Sequence, residues 1–335
     1  MAGHRGSTPE AHIAFDALAI EGGLLAADWL AKVAQLEAAG QSSDDYRVPK
    51  GLQLRDEIGR SWRIAQACFR DLDAGRASGA DTNALTERFV QGLLRDALGF
   101  TSLTAAEPRV FGERIYPVPF FALGDRVPVV VAAGGAGLDT PLPEFGDGRR
   151  RRSAFGLLQE FLNASDGSFW GIASDGLALR LARDNASLTR PAWVEVDLGR
   201  IFGEALYPDF AALWLLVHES RFGRPGAPPE ACPLEVWREA GREAGTVARG
   251  KLRVGFMEAL ELLGQGFVSH PENIGLRAAL HAGRLHRDQY YGQLLRLVYR
   301  LIFLLTVEER NLLHPKHATP AARQLYAEGY ALRRL

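Results

Sequence analysis

The chain has 335 residues, 47% hydrophobic and 24% charged, which is ample apolar material for a core and excludes disorder along the whole chain. The formal charge is −1 and the pI about 6.7, so nucleic-acid binding must come from a local patch and not from a global positive field. Cys68 and Cys232 are the only cysteines, which excludes a disulfide scaffold and fits a reducing cytoplasm.

The first ten residues, MAGHRGSTPE, carry no apolar signal core. Residues 9–40 place Phe15, Leu18, Leu24, Leu25, Trp29, Leu30, Val33 and Leu36 near helical spacing and predict helix. A polar loop follows, then helix over about 52–74, broken by GRASGAD. Thr82 to Leu98 reads as an amphipathic helix closing at Gly99. RIYPVPFFAL and RVPVVVAAGG are short, β-branched or aromatic, and punctuated by Pro and Gly, so strands are expected there. Residues 153–165 predict a helix capped by Ser153. FWGIASDGLALRLARD predicts a hairpin turning at Asp175-Gly176, and WVEVDLGRIF one more strand. From Asp209 onward helices are expected at DFAALWLLVHESRF and at about 233–264, 272–283, 287–313 and 319–331.

The longest apolar stretch, Leu294 to Val307, carries Arg296 and Arg300 and is too short to span a membrane. It predicts a buried helix whose arginines form ion pairs tying helices together, with a DNA-facing role for Arg296 and Arg300 as the lesser alternative. Trp170, Trp193 and Trp214 sit in apolar patterns and are expected in the core.

Few motifs carry chemistry. Gly245 to Leu252 nearly matches a phosphate-binding loop, but Leu252 stands where the magnesium-binding hydroxyl belongs. GGAG at 134–137 reads as a turn. His314 and His317, and His281 and His286, lack a cysteine or carboxylate cluster nearby in sequence. Neither a glycine-rich methyl-donor loop nor an Asn-Pro-Pro motif is present, so the chain alone should not transfer methyl groups. Arg149, Arg150, Arg151 and Arg152 form a run of cations that could contact DNA phosphates.

Residues 82–184 have an order that resembles the core of the PD-(D/E)xK nucleases: a helix with an early acid, Glu87; strands; a helix carrying Gln159; then Trp170-Gly171 and the turn. Those enzymes use carboxylates to hold Mg²⁺, which polarises the phosphate and activates water. Here the strand expected to carry Glu-x-Lys reads VPVVVAAGG, and no lysine lies between Lys50 and Lys251. An inactive nuclease-like fold is the favoured expectation. If activity survives, Glu87, Asp125, Asp139 and Gln159 are the catalytic candidates, with Asp125 and Asp139 holding Mg²⁺.

The block SAFGLLQEFLNASDGSFWGIASDG and the later runs CPLEVWRE, GFVSHPEN, YYGQLLRLVYRLIFLLTVEERNLLHP and GYALRRL carry a wider resemblance. From about residue 85 to 335 the chain resembles the N-terminal region of type IIG-like restriction–modification proteins, and of related adenine-specific DNA methyltransferase proteins in BREX- and DISARM-type phage-defence loci. In that family the methyltransferase domain follows the point matching ALRRL. The resemblance implies an α+β, mostly helical fold in three parts. These are an N-terminal helical segment over 1–80, a nuclease-like α/β core over 81–204, and a helical domain over 205–335. It implies DNA and a methyltransferase chain or domain as partners, with S-adenosylmethionine entering only through that partner, a cytoplasmic setting and no membrane.

Overall fold

The computed structural model describes residues 15–26, 28–146, 150–183, 192–310, 312–315 and 318–334. The fold is α+β, with helices and a mixed sheet. It divides into two compact units, 1–243 and 244–335.

The first unit is built on a sheet with the order β1-β11-β10-β9-β6-β5-β2. Its strands are β1 (Leu18–Glu21), β2 (Thr104–Ala105), β5 (Phe120–Ala122), β6 (Val127–Val131), β9 (Trp170–Ser174), β10 (Ala178–Arg183) and β11 (Trp193–Asp197). Two small pairs stand apart from it: β3 (Arg109–Phe111) with β4 (Arg114–Tyr116), and β7 (Pro141–Leu142) with β8 (Arg152–Ser153). Every pair in the main sheet is antiparallel except β6 and β9, which align Val129 with Ile172 and Val130 with Ala173 in parallel. A parallel pair needs a crossover, and α4 (Ala154–Ala164) supplies it. Ser153 caps α4, its hydroxyl accepting from the Gly156 amide at 3.0 Å. The hairpin turns at Asp175-Gly176 as expected, Gly176 taking a φ of 84° that favours glycine.

Alternation along the strands sorts side chains onto two faces. Val127, Val129, Ile172, Leu179, Leu181, Val194 and Val196 join one core cluster. That cluster also takes residues from α1 (Trp29–Ala34), α2 (Leu54–Ala77), α3 (Thr82–Gly92), α5 (Leu198–Gly203) and α6 (Tyr207–Val217). Val130, Ala173 and Ala182 face the other way, against Phe155, Leu158 and Phe161 of α4. Gly171 lets α4 come close: a Cβ there would lie 2.6 Å from the Leu158 side chain.

Three expectations are corrected. Residues 9–40 are not one helix: Leu18–Glu21 is an edge strand paired with β11, and Gly22 and Gly23, both at positive φ, end it before α1 begins. The seams drawn at 80/81 and 204/205 do not match the structure's own division, because α1, α2 and α6 share one core with the sheet. The third concerns the second unit, which holds the end of α7 (Pro233–Ser269) with α8 (Ile274–His281), α9 (Arg287–Glu309) and α10 (Pro320–Gly329). Its core is small: Leu260, Leu294 and Val298, with Phe256, Leu263 and Ile302 partly buried around them. α9 is therefore buried on one side only. Arg296 and Arg300 lie exposed on the other and form no ion pair with another helix among the described residues. No helix among the described residues is long and apolar enough to cross a membrane.

The first unit is tied together around Arg221, whose residue is 1% exposed. Its guanidinium donates to the carbonyls of Gly40 (2.6 Å) and Asp45 (2.7 Å) and to the Ser220 hydroxyl (3.0 Å). It lies 3.9 Å above the Tyr46 ring and 5.4 Å from that of Trp237. Beside it, burial and then the charges of Arg221 and Arg47 hold the His218 imidazole down to about 3.

Replacing Arg221 with Met removes the donor that the part-buried Gly40 and Asp45 carbonyls share, so R221M should lose about 2 kcal/mol in urea denaturation. His218 stays neutral in the fold down to about pH 3, whereas in the unfolded chain it takes a proton below about 6.5. Stability should therefore fall as pH drops through that window, by about 1.4 kcal/mol per pH unit from this group. The H218N variant should show a shallower acid slope.

Candidate functional site

The candidate carboxylates are placed by different elements and do not converge. Glu87 is exposed on α3 and accepts from the Gln91 amide at 2.9 Å. Gln159 is on α4, half-buried. Since α3 and α4 cover opposite faces of the sheet, β6 and its neighbours stand between these two side chains. Asp125 lies two residues before β6 and Asp139 eight residues after it.

Both aspartates already have cationic partners. Asp125 pairs with Arg109. Asp139 receives two parallel hydrogen bonds from Arg180, each 2.7 Å, and they hold its carboxyl below the usual range. Arg180 also donates to Glu195 at 2.6 Å and lies between the rings of Phe155 and Trp193. Trp193 is thus half-buried against an arginine, while Trp170 and Trp214 are fully buried as expected.

Residues that would share Mg²⁺ must present oxygens to one point. Glu87, Asp125 and Asp139 do not, and no group of three or more metal-ligating side chains assembles among the described residues. The donor set expected for Mg²⁺ does not fit a metal in this arrangement, and no chemistry is routed through one.

The cation run also divides. Arg149 lies outside the described residues. Arg150 is exposed and pairs with Glu160 at 3.1 Å, and Arg151 is exposed. The Arg152 side chain is only 2% exposed. It pairs with Glu160 at 3.2 Å, donates to the Ile115 carbonyl at 2.9 Å and lies over the Tyr116 ring. Arg152 is therefore a packing residue, and its phosphate-contacting role is withdrawn: the start of α4 draws it inward to meet Glu160, two turns along. His317 lies outside the described residues, and His314 packs edge-on to Tyr326. The near-match at Gly245 to Leu252 is continuous helix within α7.

One groove of about 800 Å³ opens between α2 and α3, lined by Cys68, Asp71, Glu87, Arg88 and Asp96 among others. The Cys68 thiol is pushed up by burial and by the neighbouring carboxylates of Asp96 and Asp71, so it is a poor nucleophile. The groove mixes both signs of charge and offers no acid–base pair separated in role.

Sequence reasoning missed two features. Glu235, at the start of α7, accepts from Trp170 Nε1 (2.8 Å) and from Arg183 (2.6 and 2.9 Å). Burial opposes its charge more than any one partner favours it, but the hydrogen bonds and charges of Arg183 and Arg238 together hold its carboxyl below the ordinary value. No local pattern announces a contact across more than fifty residues. The other is the distribution of charge. Residues 244–335 carry 13 Arg and Lys against seven Asp and Glu, a net of +6; the whole chain is −1, so residues 1–243 carry −7. Counting charge in windows would have revealed it.

If Arg152 is structural, R152A should lower stability by about 1–3 kcal/mol, because its buried packing under Tyr116 and its hydrogen bond to the Ile115 carbonyl are lost and Glu160 keeps only Arg150. R151A, at an exposed site, should leave the melting temperature unchanged. Thermal denaturation of the two variants checks this.

No protein-family model matches the chain, and comparison with curated proteins and with solved structures finds no match.

Proposed function

We propose that the chain is a DNA-engaging, nuclease-like module of a restriction–modification or phage-defence system, acting beside a DNA methyltransferase and not as a metal-dependent nuclease itself. The observation that carries the DNA-engaging part is the +6 charge of residues 244–335. A basic unit attracts the phosphate backbone and releases its counterions, whatever the charge of the rest of the chain. The PD-(D/E)xK-like reading of the core is supported by the run α3, strands, α4, β9 and hairpin, and the methyltransferase partner by the sequence resemblance over 85–335. Against catalysis stand the separated and arginine-paired carboxylates.

A second reading, a partner-docking scaffold, is favoured by one observation. The second unit exposes Leu252, Val254, Met257, Leu262, Ile274 and Leu325, each more than half accessible. These side chains are spread over α7, α8 and α10, and a docked partner would cover them. The two readings are compatible if the same unit holds both DNA and the methyltransferase.

Gel shift with the full chain should show DNA binding that weakens steeply with salt, and supercoiled plasmid should stay intact with Mg²⁺ or Mn²⁺. Metal-dependent cleavage lost in D139A would instead establish the altered-site nuclease. Failure to bind either DNA or a co-expressed methyltransferase would overturn the proposal.

A further inference from the structure

α9 has two unlike sides. Leu294 and Val298 are buried against Leu260 of α7, and the Tyr290 hydroxyl donates to the Gly264 carbonyl at 2.8 Å, fixing which side faces inward. The outward side follows from helical geometry: residues at i, i+3, i+4 and i+7 share a face. Arg296, Tyr299, Arg300 and Phe303 have that spacing and are all exposed. Tyr299 is 70% and Phe303 63% accessible, high values for side chains that water solvates poorly. No acid lies on α9 between Asp288 and Glu308. Glu308 is turned inward, accepting from the Tyr326 hydroxyl at 2.7 Å and from the Leu332 amide at 2.8 Å.

Interleaved arginines and rings on a basic unit select a ligand by chemistry. The guanidiniums ask for anions, and the rings ask for flat apolar faces within reach of those anions. Duplex DNA offers the first but keeps its base faces closed in the stack. A single strand offers both. A purely apolar protein surface would leave two arginines unpaired, at a desolvation cost. Tyr299 and Phe303 stand one turn apart, about 6 Å along the axis, so two bases can each meet one ring.

We propose that the outward face of α9 binds single-stranded nucleic acid, with Arg296 and Arg300 on phosphates and Tyr299 and Phe303 stacking on bases. This rests on the DNA-engaging reading and deepens it, moving the contact from the run at 149–152 to the second unit.

The test is fluorescence anisotropy of the full chain with a labelled oligothymidine, and with a duplex of equal length, over a salt series. The variants are R296A/R300A and Y299A/F303A, both at exposed positions, with circular dichroism confirming that each stays helical. The wild type should prefer the single strand. Y299A/F303A should bind it at least about tenfold more weakly with the salt slope kept, since stacking is lost and phosphate contact is not. R296A/R300A should lower the slope by about 1.4, two phosphates at about 0.7 each. Should the wild type bind DNA while both variants match it, this face is not the site, though the DNA-engaging reading survives. No binding to either oligonucleotide would sink both. A duplex preference, or Y299A/F303A binding unchanged while polyglutamate displaces the strand, would show a generic polyanion or acidic-protein surface and overturn the stacking role.

Discussion

A buried cation whose guanidinium hydrogen-bonds to no carboxylate holds the first unit together. Arg221 has no ion-pair partner among the described residues, and its charge is met by two carbonyls, a hydroxyl and two aromatic rings. Carbonyl dipoles compensate a guanidinium only when the backbone bearing them is held still, so the loop around Gly40 and Asp45 is fixed by the demand it satisfies. Neighbouring side chains add to the same constraint. Trp237 donates to the Ala39 carbonyl at 2.7 Å, Tyr46 to that of Leu215 at 2.8 Å, and Gln41 to that of Val33 at 2.9 Å. Burial pushes the Tyr46 phenol up to about 12, which keeps it a donor. Three side chains of an otherwise exposed loop, Gln41, Tyr46 and Val48, are thereby held in the interior.

Elsewhere in the first unit, too, the inward cations are arginines: the side chains of Arg152, Arg180 and Arg183 are no more than 10% exposed. Arginines take up two of the three candidate acids, Arg109 holding Asp125 and Arg180 holding Asp139, and they also hold Glu195 (Arg180) and Glu235 (Arg183). With only 4 lysines against 35 arginines, most cations here are planar, multidentate donors suited to pairing with carboxylates. A carboxylate held this way is poorly placed to hand oxygens to a metal. The second unit is built the other way, with a core cluster of three buried apolar side chains and a large accessible apolar and aromatic surface.

The elements legible in the sequence were those with strong local signals. The capped helix at Ser153, the Asp-Gly hairpin and the long C-terminal helices each depend on neighbours within a turn or two. Leu18–Glu21 was not legible, because its strand identity comes from pairing with Trp193–Asp197, more than 170 residues away; alone, its apolar spacing suits a helix equally well. Arg152 was misjudged for a related reason. A run of four like charges suggests solvent, yet a helix beginning at residue 154 turns the last of them under Tyr116 toward Glu160. The candidate acids share proximity in the chain, but whether they share a point in space depends on which face of the sheet each helix covers. The apolar run at 294–307 suggested burial on all sides, when a core of three residues can cover only one.

The uneven division of charge has a consequence for handling the molecule. A pI of about 6.7 suggests a protein indifferent to ion exchangers near neutrality. With −7 on one unit and +6 on the other, cationic and anionic resins should each find a surface to hold. Such a division favours attraction between copies in dilute buffer, acidic unit to basic unit, over a range set by the Debye length, about 30 Å at 0.01 M salt and 8 Å at 0.15 M. Self-association therefore competes with any polyanion for the same basic surface, and added salt weakens both at once.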